Sequence, residues 1–341
     1  MMITRRIFTD LLIGALALLF LSAPALADLA LYERARKEGQ VLVYSSFNAT
    51  EMVTLKNSFE KKYPGVKVEH LRLAGARLMQ RILAEHQAGS DVADSVLIKG
   101  ETMYVLGQKG LLAKFDPLED DKNAIDKMFK HPENLWTTVY LGVHSIVYST
   151  RRVASKDVPR RYTDLLKPQW KDKIGVSTTK YIVTYALMDL YGKEKGMDFL
   201  KKLAAQKPAA RAGGTLIIEL VGAGEFDLGF SVNADSVEAV KKRGAPVDWA
   251  RLDEPSYGDI QATGVLAKAR RPNAARLFSN FLVSKEGQQQ LAELNNVVVR
   301  KDVEPKIALD RSKLRVIDPA EGNRLDYYMG LINELFVKAG G

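Results

Sequence analysis

The chain has 341 residues, 46% of them hydrophobic and 27% charged, with a formal charge of +9 and no cysteine. That balance is globular and long enough for two domains, while the missing cysteines exclude disulfides, thiolate zinc sites, iron–sulfur centres and thiol nucleophiles. The basic excess sits in short pairs such as Arg151-Arg152 and Arg270-Arg271 rather than in a stripe interleaved with aromatics, so nucleic acid is not an expected partner.

Residues 1–27, MMITRRIFTDLLIGALALLFLSAPALA, read as a cleaved export signal. Arg5 and Arg6 supply a positive start, an apolar run follows that is too short to span a bilayer, and Ala25-Leu26-Ala27 fits the small-x-small cleavage rule. Thr4-Arg5-Arg6-Ile7-Phe8 also approaches the twin-arginine pattern, so both export routes stay open. No later run reaches about 18 apolar residues, so no transmembrane helix is expected. These features predict an exported, periplasmic protein without stable membrane insertion.

Strands and helices then alternate. A strand is predicted at 41–44, and Met52, Leu55, Phe59 and Tyr63 recur at helical spacing until Pro64-Gly65. A strand at 66–71, a helix through Leu78 and Ile82, a strand at 94–98 and a helix ending at Gly110 continue the rhythm. The run WTTVYLGVHSIVYS, 136–149, is long, extended and leads elsewhere. The alternation resumes at KIGVS, 173–177, with helices at 181–191 and 197–205, a short helix after Gly213-Gly214, a strand at 226–231 and a helix at 235–243. An extended stretch at 260–267 precedes helices at 273–283 and 286–294, and a helix at 326–338 closes the chain. Such alternation predicts an α/β fold with mostly parallel sheets.

Catalytic patterns fail one by one. His70, His86, His131 and His144 make no metal-ligand spacing. Gly229-Phe-Ser231-Val-Asn233 lacks the second glycine of a nucleophile elbow. Gly222-Ala-Gly224-Glu-Phe-Asp227 lacks the third glycine of a dinucleotide loop and leads into a strand, not out of one. No enzyme, metal site or cofactor is predicted. Small polar residues at strand ends remain: Ser45, Ser46 and Asn48; Lys99; Ser177, Thr178 and Thr179; Gly213, Gly214 and Thr215; Asn233 and Asp235. In parallel sheets these ends share one edge, where ligands bind, and helix starts there offer unpaired N–H groups. Each is also an ordinary helix cap, and Asn48 with Glu51 has the spacing of a capping box. Five such ends together favour a binding cleft.

The stretches ARKEGQVLVYSSFN, FEKKYPGVKVE, QKGLLAKFDPL, LLKPQWKDKIGVS, VGAGEFDLGFSVN and ARLFSNFLVSKEGQQQLAELNNVVVRKDV resemble the periplasmic solute-binding proteins of ABC importers, in the branch of ferric-iron-binding proteins. The resemblance implies a two-lobed periplasmic-binding-protein fold of the Venus-flytrap kind, each lobe a mostly parallel sheet flanked by helices. Lobe 1 would hold 28–140 plus 259–310, lobe 2 would hold 149–250, hinge crossings would lie at 141–148 and 251–258, and 311–341 would form a helical tail. It implies a monomer that closes on a small-molecule solute and docks on an inner-membrane ABC permease. The matching cleft positions are the strand-end residues above, with Tyr181 and Tyr257 as walls for an organic moiety. Where iron-binding members carry adjacent tyrosines, this chain has Asn233-Ala234-Asp235-Ser236, and Tyr327-Tyr328 falls in the C-terminal helix. The expected solute is therefore a small polar, anionic organic molecule, with Asp235 either meeting an amine on it or capping its helix. Ferric iron or an iron chelate is the alternative; an exported hydrolase is a more distant one.

Overall fold

The computed structural model describes residues 23–73, 75–115, 117–118, 123–180, 182–307 and 309–338. Residues 1–22 of the expected signal, and Tyr181, lie outside them.

The first stretch alternates as expected: α1 (Ala23–Glu38), β1 (Gln40–Ser45), α2 (Ala49–Lys62), β2 (Lys67–Arg72), α3 (Gly75–Gln87), β3 (Ser95–Lys99), α4 (Gly100–Gln108) and a short β4 (Leu112–Ala113). Local chemistry explains the boundaries. Asn48 accepts the Glu51 N–H while Glu51 accepts the Asn48 N–H, so the predicted capping box starts α2. Met52, Leu55 and Phe59 form its buried stripe. Phe59 packs edge-on against Phe278 and Phe281, ring centroids 5.1 and 5.6 Å away.

A 13-residue strand, β5 (Thr137–Ser149), leads out of this unit. Beyond it come β6 (Ile174–Ser177), α5 (Ile182–Tyr191), α6 (Lys193–Ala205), β7 (Ala209–Arg211), α7 (Gly214–Ala223), β8 (Leu228–Asn233), α8 (Ala234–Lys242) and β9 (Val247–Trp249). The chain returns through β10 (Ser256–Leu266), α9 (Pro272–Val283), α10 (Lys285–Glu293), β11 (Val297–Val298), β12 (Leu314–Val316) and α11 (Leu325–Ile332).

The strand order β2-β1-β3-β10-β5-β8-β6-β7 contains two half-sheets joined through β5. In the first, β2, β1 and β3 are parallel and β10 runs antiparallel between β3 and β5. In the second, β8, β6 and β7 are parallel and β5 runs antiparallel to β8. Residues up to Val143 of β5 pair with β10, and residues from His144 onward pair with β8. One strand thus belongs to both lobes, and that explains its almost continuous burial. The tail does not stand apart: Leu331, Ile332 and Phe336 join Val183, Leu187, Phe199 and Leu203 in one apolar cluster.

Candidate functional site

The change of partner in β5 brings residues far apart in sequence to one place. Gly142 shows how tightly they converge. A Cβ there would fall 2.5 Å from Asp259 Oδ1 and 2.6 Å from Asn233 Nδ2, so only glycine fits between them. Asp259 comes from β10 and Asn233 from the end of β8, so both half-sheets contribute. Asp259 is 1% exposed. Lys99 Nζ lies 3.5 Å from its Oδ2, Gln261 Nε2 donates to Oδ2 at 3.3 Å, and His144 Nε2 stands 3.6 Å from Oδ1. Burial works against a charge on Asp259, yet Lys180 and Lys99 outweigh it and hold the carboxyl below its usual range. His144 is driven the other way: burial pushes its imidazole down to about 4, so it is neutral. Lys180 is lowered too, by burial and then by Lys99.

A cleft of about 420 Å³ opens beside this cluster, lined from one side by Asn48 to Glu51 and from the other by Thr215, Asp235 and Ser236. Tyr140 donates to Glu51 Oε2 at 3.2 Å. Burial, reinforced by the charge on Asp235, pushes Glu51 up to about 7. Burial also pushes Asp235 up to about 6, with Lys180 opposing and Asp259 adding to the rise. Several buried polar atoms here have no hydrogen-bond partner among the described residues: both ring nitrogens of His144, Asn233 Oδ1, Asp235 Oδ1 and Asp259 Oδ1. Folded proteins pair such atoms almost without exception, so their concentration here marks the cluster as a candidate site.

The predicted residues divide on inspection. Lys99, Asn233 and Asp235 are in the cluster, and Asn48 and Thr215 line the cleft. Asp235 is the second residue of α8 and caps nothing: Ser236 Oγ donates to its Oδ2 and its Oδ1 is open. The capping alternative for Asp235 is thereby corrected. Ser45 is fully buried and accepts the Phe47 N–H at 2.9 Å, which closes the turn after β1. Ser46 is half-buried next to it. Ser177 and Thr179 share a hydrogen bond of 3.3 Å, and Thr178 is tied to the Arg211 carbonyl through both its N–H and its hydroxyl. Gly213 precedes α7 with a φ of +105°, and a Cβ on Gly214 would lie 3.8 Å from Ser231 O. Tyr257 is engaged elsewhere: its hydroxyl donates to Asp189 at 2.6 Å and its ring packs with Ala186, Ile317 and Tyr328.

Sequence reasoning missed Asp259, Gln261, His144, Lys180, Glu51 and Tyr140 as site residues. The signal for two of them was available: a carboxylate and an imidazole inside extended apolar runs, DIQATGVL and YLGVHSIV, are conspicuous in strands otherwise built for burial. Ser231, read as a chance elbow serine, has a φ of +63° and is the extra residue where the β5–β8 register shifts. Its hydroxyl donates to the Lys180 carbonyl at 3.1 Å, which anchors the segment carrying that lysine. Among the described residues no group of three or more His, Asp or Glu side chains is arranged to hold a metal ion.

A model of the family described as bacterial extracellular solute-binding protein matches residues 101–321. The major ferric iron-binding protein of Neisseria meningitidis is 24% identical over 286 residues, 81% of each chain. A putative 2-aminoethylphosphonate-binding periplasmic protein of Salmonella typhimurium is 23% identical over 258 residues, 72% of this chain and 73% of its own. The solved structure of the periplasmic binding protein AfuA from Actinobacillus pleuropneumoniae, with fructose-6-phosphate bound, superposes with a TM-score of 0.76 at 22% identity, covering 88% of this chain and 99% of its own. The two-lobed fold is thus that of the periplasmic binding proteins, and the chain belongs to the bacterial extracellular solute-binding protein family, whose members serve ABC importers.

Proposed function

We propose that this protein is the periplasmic receptor of an ABC importer for a small polar organic solute bearing an anionic group. The observation that carries the reading is the set of buried, unpartnered polar atoms contributed by both lobes around Lys99 and Lys180. Solute bound there contacts both lobes at once, so it shifts the population towards the closed form, and a permease can recognise that form. The hinge lies in β5 near Val143 and His144 and in the return at 251–258. Residues 1–27 direct export, and the mature chain works as a monomer.

Two measurements test this. Native mass spectrometry of the mature protein with the small-molecule fraction of a bacterial extract is expected to show a one-to-one adduct, and small-angle scattering a smaller radius of gyration with it. No adduct and no compaction would overturn the receptor reading. Lys180→Gln is expected to weaken the adduct roughly tenfold or more, through loss of a charged hydrogen-bond donor. The iron reading has support in relatives such as the Neisseria protein. Yet the position of the tyrosine pair holds Asn233-Ala234-Asp235-Ser236, and Tyr328 is buried with its hydroxyl donating to Glu321. A tight ferric complex with a visible tyrosinate band would reinstate that reading.

A further inference from the structure

Asp259 is held on one side only. Lys99 and Gln261 approach Oδ2, whereas Oδ1 has no hydrogen-bond partner, His144 Nε2 being 3.6 Å away. Asp235 repeats the arrangement, with Ser236 on Oδ2 and nothing on Oδ1. Asn233, 8% exposed, leaves its Oδ1 unpartnered as well. Three buried acceptors from both lobes thus lack donors in one region among the described residues. Two of them are carboxylate oxygens, and burial makes an uncompensated carboxylate costly. A primary ammonium carries three N–H donors, a positive charge and no acceptor. The same region holds Lys99 and Lys180, and Lys180 is held below its usual range by burial and then by the charge of Lys99. Two lysines stand against three carboxylates, those of Asp235, Asp259 and Glu101, the last 3.8 Å from Lys99. A purely anionic solute would meet the lysines but place its charge against the open carboxylate oxygens; a purely cationic solute would do the reverse.

We propose that the solute is a zwitterion, its ammonium group seated among Asp235, Asp259 and Asn233 and its acidic group facing Lys180 and Lys99. This rests on the receptor reading above and adds the amine to it. Gly142 keeps the seat open, because any side chain there would occupy the space between Asp259 and Asn233. His144, neutral and unpartnered, borders the seat without adding charge.

The test is calorimetric titration of the mature protein, freed of bound solute by unfolding and refolding, with four matched pairs of probes. They are phosphoethanolamine and ethyl phosphate, 2-aminoethylphosphonate and ethylphosphonate, β-alanine and propionate, and taurine and ethanesulfonate. The two members of each pair differ only in the amine. At least one amine-bearing member is expected to bind roughly tenfold or more tighter than its partner, and Asp235→Asn is expected to abolish that preference while far-UV circular dichroism stays unchanged. Equal or tighter binding of the amine-free members overturns the zwitterion and leaves the receptor reading standing. Binding of no probe from either set also overturns it, and the adduct and compaction measurements then judge the receptor reading separately. The wild-type comparison decides the matter even if the variant fails to fold.

Discussion

Glu51 and Asp235 face one cleft from opposite lobes, and burial lifts both above their ordinary values, to about 7 and about 6. Between its ordinary value and about 7 the folded Glu51 keeps a proton that the unfolded chain has lost, so stability falls as pH rises through that window. Asp235 acts in the same direction over a lower window, and Asp259, held below its usual range, acts oppositely at more acidic pH. The solute-free protein is therefore expected to melt higher near pH 5 than near pH 7.5. Glu51→Gln, which keeps an acceptor for the Asn48 N–H, is expected to flatten that slope by recovering on the order of 3 kcal/mol at pH 7.5. Thermal scans across pH check it; a wild-type slope in the variant would assign the pH dependence to other groups. Gly142→Ala is expected to cost about 1–3 kcal/mol through overpacking against Asp259 and Asn233, and to weaken solute binding as well. Unchanged affinity would show that the convergence at Gly142 is not the site.

The strand-to-helix junctions behave as elements with separate duties. At α2 the capping box holds the helix start, and Asn48→Ala is expected to cost about 1 kcal/mol of stability. At β8 the bulge places Ser231 in the left-handed region, where a β-branched side chain is strained. Ser231→Val is expected to lower stability by about 1–3 kcal/mol and to weaken solute binding, because the segment with Lys180 loses its anchor. Ser231→Gly removes the strain along with the hydroxyl and is expected to stay within about 1 kcal/mol of wild type. Equal unfolding midpoints for the two variants would contradict the account of the bulge. The helices and longer strands were legible in the sequence because caps, Pro64-Gly65 and apolar periodicity mark them. The strands β7, β9, β11 and β12 were not, since two or three residues carry no periodicity and exist only by pairing with a neighbour.

Across the molecule the tail binds to both lobes. Pro319 touches the α4 start, where a Cβ on Gly100 would lie 3.4 Å from the proline ring, and β12 pairs with β10. Further on, Leu331, Ile332 and Phe336 complete the apolar cluster against α5 and α6. Removing residues 325–341 uncovers that cluster. Each lost large side chain is worth about 2–4 kcal/mol, so the truncated protein is expected to melt far below the intact one in calorimetry. A near-native midpoint would mean that the tail is an appendage.

The sequence by itself determined the class of the protein. The alternation of strands and helices, the absence of a catalytic set and the family stretches led to a two-lobed α/β receptor, because periodicity, caps and motifs are local properties that a linear chain displays. It also marked Lys99, Asn233 and Asp235 by their place after strands. The tertiary structure alone decided which residues share the candidate site. Asp259, His144, Lys180 and Asn233 meet only because β5 exchanges β10 for β8 between Val143 and His144. Burial lowers His144 and Lys180, the two lysines lower Asp259 against burial, and the unpartnered oxygens belong to the same enclosure, which no stretch of sequence contains.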